Sequence, residues 1–504
     1  MGGLIMCTKY TDSVKLYAAR RHEALFGGNI PASDRPVVHL GSQIGWMNDP
    51  NGFSLYKGRY HLFYQYHPFN SAWGPMHWGH AVSDDLIHWE HLPAALAPDA
   101  RYDSSGCFSG SALELADGRH LLMYTGLSQT GRNPDGTPEN RQIQCIAYGD
   151  GIDYEKYDDN PVIDGSQLPE GASLQDFRDP KIWACEDGGF RCVLGSLDSE
   201  RSGQILQYRS PDGIAWEFEC VLAANHGRYG IMWECPDTFV LDGKQVLLVS
   251  PQDMLPEGNE FMSGNGTLAL IGHLDGQTGT LVEEATQSID YGIDFYATQT
   301  LETVDGRRVM VAWMQNWDTT SVGDGQPWFG QMSLPRELHV RDGRLYQWPV
   351  REIEDARRNR VAYEGVRVEG LCVLDGIRGR CVDLTLVVRP ADADEPYREF
   401  FIRYAQRGRF RSSICFRMAD QSLKINRKHS GLRRAVVKDR KCKLLSYNGA
   451  LHLRIILDRF SVEVFVGEGE QTMTMTIPTD PSYDEITFFA EGKAIMDVEK
   501  FDLV

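Results

Sequence analysis

A glycine-containing turn recurs along this chain with a strand-like segment on each side of it. The turns are spaced roughly 55 to 70 residues apart, which suits a repeat of several strands and is too long for one turn of a solenoid. Asp-Gly and related pairs favour the positive φ angles of a two-residue hairpin turn. The turns are Lys57-Gly58, Asp117-Gly118, Asp187-Gly188, Asp242-Gly243 and Asp305-Gly306.

A second hairpin pattern follows each of these turns, so each repeat is predicted to contain four strands. These second patterns lie at residues 83–89, 149–154, 210–216, 274–276 and 341–344. Five repeats of four strands predict a five-bladed β-propeller, whose short sheet edges surround a central channel. The alternative is an ordinary β-sandwich with many turns, but a sandwich need not keep so regular a spacing.

The repeat stops near residue 348, and a different strand pattern continues to the end of the chain. Residues 381–388 and 451–457 alternate apolar and polar side chains, which predicts an all-β module of the sandwich type over residues 361–504. Residues 1–38 are predicted to form an N-terminal arm with a short helix at residues 13–26. The propeller is assigned to residues 39–348 and a charged linker to residues 349–360.

Three acidic residues lie at the start of three repeats. Asp49 lies in Trp-Met-Asn-Asp-Pro-Asn-Gly, Asp179 in Phe-Arg-Asp-Pro-Lys, and Glu234 in Trp-Glu-Cys-Pro-Asp. An aspartate before proline is most often a turn or cap residue. In a propeller, however, equivalent starts of the blades surround one axis, so the three acids should share one pocket. Paired carboxylates in a closed cavity are the working groups of glycoside hydrolysis.

These motifs resemble glycoside hydrolase family 32, the group of invertases, β-fructofuranosidases and sucrose-6-phosphate hydrolases. The resemblance runs from Gly45 to the end of the chain, and its fold is a five-bladed propeller followed by a β-sandwich. One departure is Thr298, where the family often has a proline. Further matching segments are residues 63–65, 73–75, 108–111, 295–297, 312–313 and 457–465.

The resemblance implies a retaining mechanism in which Asp49 is the nucleophile, Glu234 the acid/base and Asp179 the stabiliser of the transition state. The amides of Asn48 and Asn51 are expected to keep the pKa of Asp49 low. Glu234 lies between a tryptophan and a cysteine. This less polar setting is expected to let it hold a proton at neutral pH.

Other side chains in the matching motifs are candidates for binding the sugar. Aromatic residues of a propeller are often core residues, so their assignment to a collar around the sugar competes with simple packing. The candidates are Trp46, Trp73, Phe108 and Trp313 for the collar, and Asn48, Gln65, Ser109 and Arg178 for hydrogen bonds. The histidines at 77, 80, 88 and 91 are predicted to be packed or exposed, and the mechanism needs no metal or other cofactor.

Composition limits the partners and the compartment. The net charge of −19 argues against a nucleic-acid partner, because counterion release needs a basic face. No apolar stretch is long enough to span a bilayer, which argues against a membrane partner. Eleven scattered cysteines and the absence of a leader-like segment favour a cytoplasmic protein with reduced thiols. The basic stretch at residues 424–443 is predicted to be a strand face or a contact in a homo-oligomer.

The main functional hypothesis is a retaining β-fructofuranosidase that hydrolyses terminal β-D-fructofuranosyl residues of sucrose and fructooligosaccharides. The first alternative is a sucrose-6-phosphate hydrolase, which would need a basic group near the leaving sugar. A second is an inverting propeller of the arabinosidase or xylosidase type, with more widely separated carboxyl groups. A third is a non-catalytic sugar-binding protein on the same fold.

Overall fold

The computed structural model describes residues 13–186, 188–319, 326–431 and 437–504. The start of the predicted arm and Asp187 of the third predicted turn lie outside them. A helix, α1 (Val14–Phe26), occupies the segment predicted to be helical, and the Ser13 hydroxyl caps it by accepting a hydrogen bond from the Leu16 amide at 3.0 Å. The described residues include no helix with the length and apolar character needed to cross a membrane.

One face of helix α1 is buried. Its buried side chains are Leu16, Ala19 and Glu23, which share one face because they are three and four residues apart. This face packs on the outer strand of the first blade. Short 3-10 helices lie at Gly27–Asn29, Ala32–Asp34, Arg101–Asp103, Gly165–Gln167 and Arg351–Ala356.

Five antiparallel sheets follow, and in each of them the strands pair mostly in chain order. The first has β1 (Gly45–Tyr56), β2 (Arg59–His67), β3 (His77–Ser83) and β4 (Trp89–Leu96). The second has β5 (Gly106–Glu114), β6 (His120–Arg132), β7 (Pro138–Gly149) and β8 (Tyr154–Lys156). The third has β9 (Phe177–Ala184), β10 (Phe190–Leu197), β11 (Gly203–Ser210) and β12 (Glu217–Ala224).

The last two sheets complete the circle. The fourth has β13 (Trp233–Leu241), β14 (Lys244–Pro251), β15 (Leu268–Leu274) and β16 (Leu281–Ser288). The fifth begins with β17 (Tyr296–Glu302) and β18 (Arg308–Trp313); the next strand, β19 (Trp328–Phe329), instead pairs in parallel with β1. The fifth sheet then ends with β20 (Arg336–Arg341) and β21 (Arg344–Pro349).

The predicted five-bladed propeller is confirmed. Each first strand contacts the first strand of the next sheet, and β17 contacts β1, so the ring closes. The four predicted turns that are fully described join the first and second strands of their blades. At Lys57-Gly58 and Asp242-Gly243 both residues have positive φ (48° and 78°, 49° and 77°), as a two-residue hairpin turn requires.

The predicted C-terminal β-sandwich is also confirmed. Its strands are β22 (Arg357–Cys372), β23 (Val382–Pro390), β24 (Glu399–Arg407), β25 (Phe410–Arg417), β26 (Ser422–Asn426), β27 (Asp439–Lys443), β28 (Leu451–Asp458), β29 (Ser461–Val466), β30 (Gln471–Thr476) and β31 (Glu485–Leu503). The long strand β31 pairs with β24 in its first part and with β23 in its second. It therefore belongs to both layers, which enclose a core that includes Leu384, Phe400 and Val464. Strand β22 starts inside the segment predicted as a linker.

A buried ionic cluster joins the propeller to the sandwich. His39 lies 2.8 Å from Asp458 through Nδ1 and 2.9 Å from Glu463 through Nε2. Arg336 of β20 donates from Nε to Glu463 at 2.9 Å, and all four side chains are fully buried. Burial alone would lower the pKa of His39, but the two carboxylates outweigh it and raise the pKa to about 9. The cluster therefore holds an imidazolium between the domains at neutral pH.

Replacing His39 by glutamine should lower the free energy of unfolding near pH 6 by about 3 kcal/mol, because two buried carboxylates lose a cationic neighbour. The pKa of His39 is raised from 6.5 to about 9. Its contribution is therefore complete below the lower value and is lost as pH rises through the higher one. The melting-temperature difference between wild type and His39→Gln should shrink from about pH 6 to about pH 10. A difference that stays constant over this range would contradict the charged state assigned to His39.

Candidate active site

All five innermost strands contribute to one site at the same end of the channel. Asp49 lies on β1, Ser109 on β5, Asp179 on β9, Glu234 on β13 and Tyr296 on β17. The three acids are far apart in sequence, and the closed ring of strands is what brings them together.

An irregularity in each innermost strand turns these side chains toward the channel. The pairing register shifts between Met47 and Pro50 in β1, and shifts at the corresponding place in the other four strands. Such β-bulges bend a strand and redirect a side chain, and they are frequent beside active sites. The bulge residues Asp179 and Cys235 have φ angles of 66° and 49°.

The three acids occupy successive positions of this bulge rather than one equivalent position. Glu234 is the last residue paired before its bulge, Asp179 is the first residue inside its bulge, and Asp49 is the second. The repeat thus fixes the end of the blade on which each acid lies. The stagger within the bulge distributes the three carboxylates around the pocket.

Cys235 shows that the acids share one pocket. Its backbone amide donates to Asp179 Oδ2 at 2.9 Å. Its Sγ atom lies 3.7 Å from that same oxygen and 3.8 Å from Asp49 Oδ2. Glu234, the preceding residue, raises the pKa of both aspartates through its charge. The carboxyl groups of residues 49, 179 and 234 therefore interact in a single site.

Asp49 is held by two hydrogen bonds. The Ser109 hydroxyl donates to Oδ2 at 2.8 Å, and the Asn48 amide donates to Oδ1 at 3.0 Å. The Trp46 indole N–H donates in turn to the Asn48 side-chain oxygen at 2.6 Å, which fixes the direction of the amide. The other predicted donor, Asn51, instead pairs with Gln65.

The prediction that Asp49 has a low pKa is wrong. Burial and the charge of Glu234 raise the pKa to about 6, although the bonds from Asn48 and Ser109 oppose this shift. Asp179 shows the same balance: burial and Glu234 raise its pKa to about 7, against the lowering effects of Arg178 and the Cys235 amide. In both cases the groups that favour the charged form do not compensate for burial and for a neighbour of like charge.

Glu234 lies in a more polar setting than its sequence neighbours suggested. Arg178 Nε donates to Oε1 at 2.9 Å, while Gln252 and the Tyr296 hydroxyl donate to Oε2 at 2.8 and 2.6 Å. Sequence reasoning missed the last two partners. Tyr296 belongs to the matching segment 295–297, which could have identified it, whereas Gln252 follows the end of β14 without any distinguishing pattern.

The predicted aromatic collar divides into a buried part and an exposed part. Trp46 is buried against Phe329, with ring centroids 4.8 Å apart, and Trp313 is fully buried beside Trp46. Trp73 is half exposed and meets the Phe108 ring edge-on at 6.3 Å. We call the surface formed by these two rings the mouth of the site. Trp73 and Phe108 are thus the accessible rings, and the other two pack behind the site.

The remaining predicted polar residues lie beneath or beside the acids. Gln65 is buried and donates to the Cys107 carbonyl at 3.0 Å. Besides Glu234, the Arg178 guanidinium contacts Asp176 and Gln142, each at 3.4 Å. In the described part of the chain, no three His, Cys, Asp or Glu side chains are grouped as metal ligands would be.

Comparison with known proteins agrees with this architecture. The family model "Glycosyl hydrolases family 32 N-terminal domain" matches residues 39–349, and "Glycosyl hydrolases family 32 C terminal" matches residues 352–503. The chain belongs to glycosyl hydrolase family 32. It is a glycoside hydrolase with β-fructofuranosidase activity.

Similar proteins cover nearly the whole chain. A raffinose invertase of Escherichia coli is 38% identical over 472 residues, which cover 92% of this chain and 93% of the relative. A sucrose-6-phosphate hydrolase of the same species is 36% identical, with the same coverage. A solved family 32 β-fructofuranosidase mutant from Bombyx mori in complex with sucrose has a TM-score of 0.83 and 32% identity, over 98% of this chain and 99% of that one.

Removal of the Ser109 hydroxyl tests the hydrogen bond that opposes the raised pKa of Asp49. If Asp49 must be ionised, kcat/KM for sucrose should fall below about pH 6 in the wild type, in line with its raised pKa. Ser109→Ala should move this acidic limb upward by roughly half to one pH unit, because the lost bond stabilised the charged form. Ser111→Ala is a matched control, since that hydroxyl donates to the Pro180 carbonyl. An acidic limb unchanged in Ser109→Ala would contradict the assignment.

Proposed function

We propose that the enzyme is a retaining β-fructofuranosidase in which Asp49 is the nucleophile, Glu234 the acid/base and Asp179 the stabiliser of the transition state. The observation that carries the proposal is the convergence of these three carboxylates, from three blades, around Cys235. Two carboxyl groups flanking the glycosidic bond are what a double displacement requires.

In the first step, Glu234 protonates the oxygen that leaves the fructosyl carbon while Asp49 attacks that carbon. The bond from fructose to the leaving sugar breaks and a fructosyl ester of Asp49 forms. Arg178, Gln252 and Tyr296 orient Glu234 through three hydrogen bonds. General acid catalysis by a positioned carboxyl group typically contributes on the order of a hundred- to ten-thousand-fold in rate.

In the second step, Glu234 removes a proton from water, which attacks the same carbon and releases Asp49. Positive charge spreads over the fructosyl ring in both transition states. Asp179 is buried and fixed by the Cys235 amide at 2.9 Å, so its carboxylate is directed before the reaction begins. Preorganised charge of this kind stabilises the transition state without a reorganisation cost.

The charges of the site favour retention of a proton among the aspartates, because the pKa of Asp49 is raised to about 6 and that of Asp179 to about 7. Among the described residues in contact with the three carboxylates, Arg178 is the one cation. Repulsion among three neighbouring acids with one guanidinium favours retention of a proton within the group. A double displacement requires the proton on Glu234 and the negative charge on Asp49.

The substrates we propose are sucrose and short fructooligosaccharides, which present a terminal fructose to the three carboxylates. Hydrolysis of sucrose-6-phosphate is the second candidate, because relatives such as the Escherichia coli enzyme carry that name. A phosphate would need a cation beyond the acids. Arg178 is already paired with Glu234 at 2.9 Å, which favours the unphosphorylated sugar.

The proposal also includes the compartment of the enzyme and the roles of its two domains. The ten cysteines among the described residues are free thiols, as expected of a cytoplasmic enzyme that acts on imported sugar. We assign catalysis to residues 39–348 and a supporting role to the sandwich at residues 361–504. Homo-oligomer formation stays a prediction.

Substitution of the two proposed catalytic carboxylates should separate their roles. Asp49→Ala should lower kcat by about a thousandfold or more, because no ester can form. Glu234→Ala should be partly rescued by azide, which replaces water in the second step and gives a fructosyl azide of retained configuration. Asp237→Ala, three residues away, serves as the control for general disturbance of β13. A product of inverted configuration, or full activity of Asp49→Ala, would overturn the mechanism.

The choice between free and phosphorylated sugar is tested by direct competition. We expect kcat/KM for sucrose to equal or exceed that for sucrose-6-phosphate. Arg178, the one cation among the described residues in contact with the acids, is already paired with Glu234. The release of fructose and of the leaving sugar is measured with both substrates under the same conditions. A clear preference for the phosphorylated substrate would identify the enzyme as a sucrose-6-phosphate hydrolase.

A further inference from the structure

A groove of about 480 Å³ lies between the N-terminal helix and the first blade. His22 and Phe26 of α1 line one side, and Phe69 and Asn70, from the connection between β2 and β3, line the other. The volume is in the range of small-molecule sites. The family 32 model begins at residue 39, so the wall supplied by α1 lies outside the part of the chain that the family describes.

The β2–β3 connection that lines the groove also carries Trp73, which contacts Phe108, the residue before Ser109. Phe26 and Phe69 are 47% and 46% exposed, and each ring contacts the imidazole of His22, with centroids 4.6 and 5.3 Å apart. Trp73 follows on the same β2–β3 connection, is 50% exposed, and meets the Phe108 ring at the mouth. Exposed aromatic rings in a row mark a binding surface more often than chance.

The lining chemistry fits an uncharged polar ligand. The residues that line the groove include amides and a hydroxyl, such as Asn29, Asn70 and Ser71, and none is Asp, Glu, Lys or Arg. Burial lowers the pKa of His22, which favours its neutral form. A sugar ring has apolar C–H faces that pack on aromatic rings and hydroxyls that bond to amides, whereas an anion would find no cation here.

The position of the groove determines which part of a substrate could reach it. The terminal fructose must lie at Asp49, so the remaining sugars must extend outward past the exposed rings at the mouth. We propose that α1 and the β2–β3 connection form a distal sugar-binding groove. This groove binds the second and later sugars of the leaving group in trisaccharides and longer substrates. The inference rests on the proposed function, and it gives the helix before the family domain a role in substrate choice.

The test compares substrates of different length in groove variants. Phe26→Ala and Phe69→Ala should each lower kcat/KM for raffinose and nystose by about fivefold, the scale expected for loss of an aromatic contact. The kcat/KM for sucrose should stay within about twofold, because sucrose has a single leaving sugar. Tyr17→Ala is the matched control, since Tyr17 is an exposed aromatic residue of α1 that does not line the groove.

Several outcomes would contradict the proposal that the groove binds sugars. Equal losses on sucrose and on the longer substrates would show a structural role, and unchanged kinetics on all substrates would show no role. A change of oligomeric mass in Phe26→Ala with unchanged kinetics would identify the surface as a contact between two copies of the chain. Calorimetric binding of nystose to Glu234→Gln, with and without Phe26→Ala, is independent of turnover. If the wild type hydrolysed no β-fructoside but Phe26→Ala still weakened nystose binding, the proposed function would fail and the groove would stand.

Discussion

The structure depends on closing five similar sheets into a ring while every innermost strand carries a bulge at the same end. Ring closure brings the starts of five blades to one axis, which is why residues as distant in sequence as Asp49 and Tyr296 can act together. The bulges then release these residues from regular pleating. Without the bulge in β9, for example, Asp179 would be one of a ladder of paired residues rather than a carboxylate facing Cys235.

Burial and the close approach of like charges determine the electrostatics of this site. Burial and the charge of Glu234 raise the pKa of Asp49 to about 6 and that of Asp179 to about 7. The surrounding groups form different hydrogen bonds with the two carboxylates. Ser109 and Asn48 donate to Asp49, while three side chains donate to Glu234: Arg178, Gln252 and Tyr296. The two carboxylates thus differ in their partners: Glu234 has one cationic donor, and the side chains that donate to Asp49 are uncharged.

The propeller and the sandwich could be predicted from the sequence because they depend on local turns and periodic strands. The convergence of the three acids could be predicted because each lies at the start of a repeat. The geometry of a turn such as Asp242-Gly243 is determined by its own two residues. The raised pKa of Asp49 could not be predicted in the same way, since it depends on burial and on Glu234, which comes from another blade. Gln252 was missed for a similar reason: its contact with Glu234 is made across a hairpin and follows no motif. The crossing of β19 to the first blade likewise depends on tertiary packing.

The most direct test of the central claim is to identify the atom that attacks the sugar. Glu234→Gln mixed with an activated β-fructoside that has a good leaving group should accumulate an ester, because the second step lacks its base. After an acid quench and digestion, mass spectrometry should find one fructosyl group on the peptide that contains Asp49. A fructosyl group on the Asp179 peptide, or no ester while turnover proceeds, would contradict the account of how the five blades build this site.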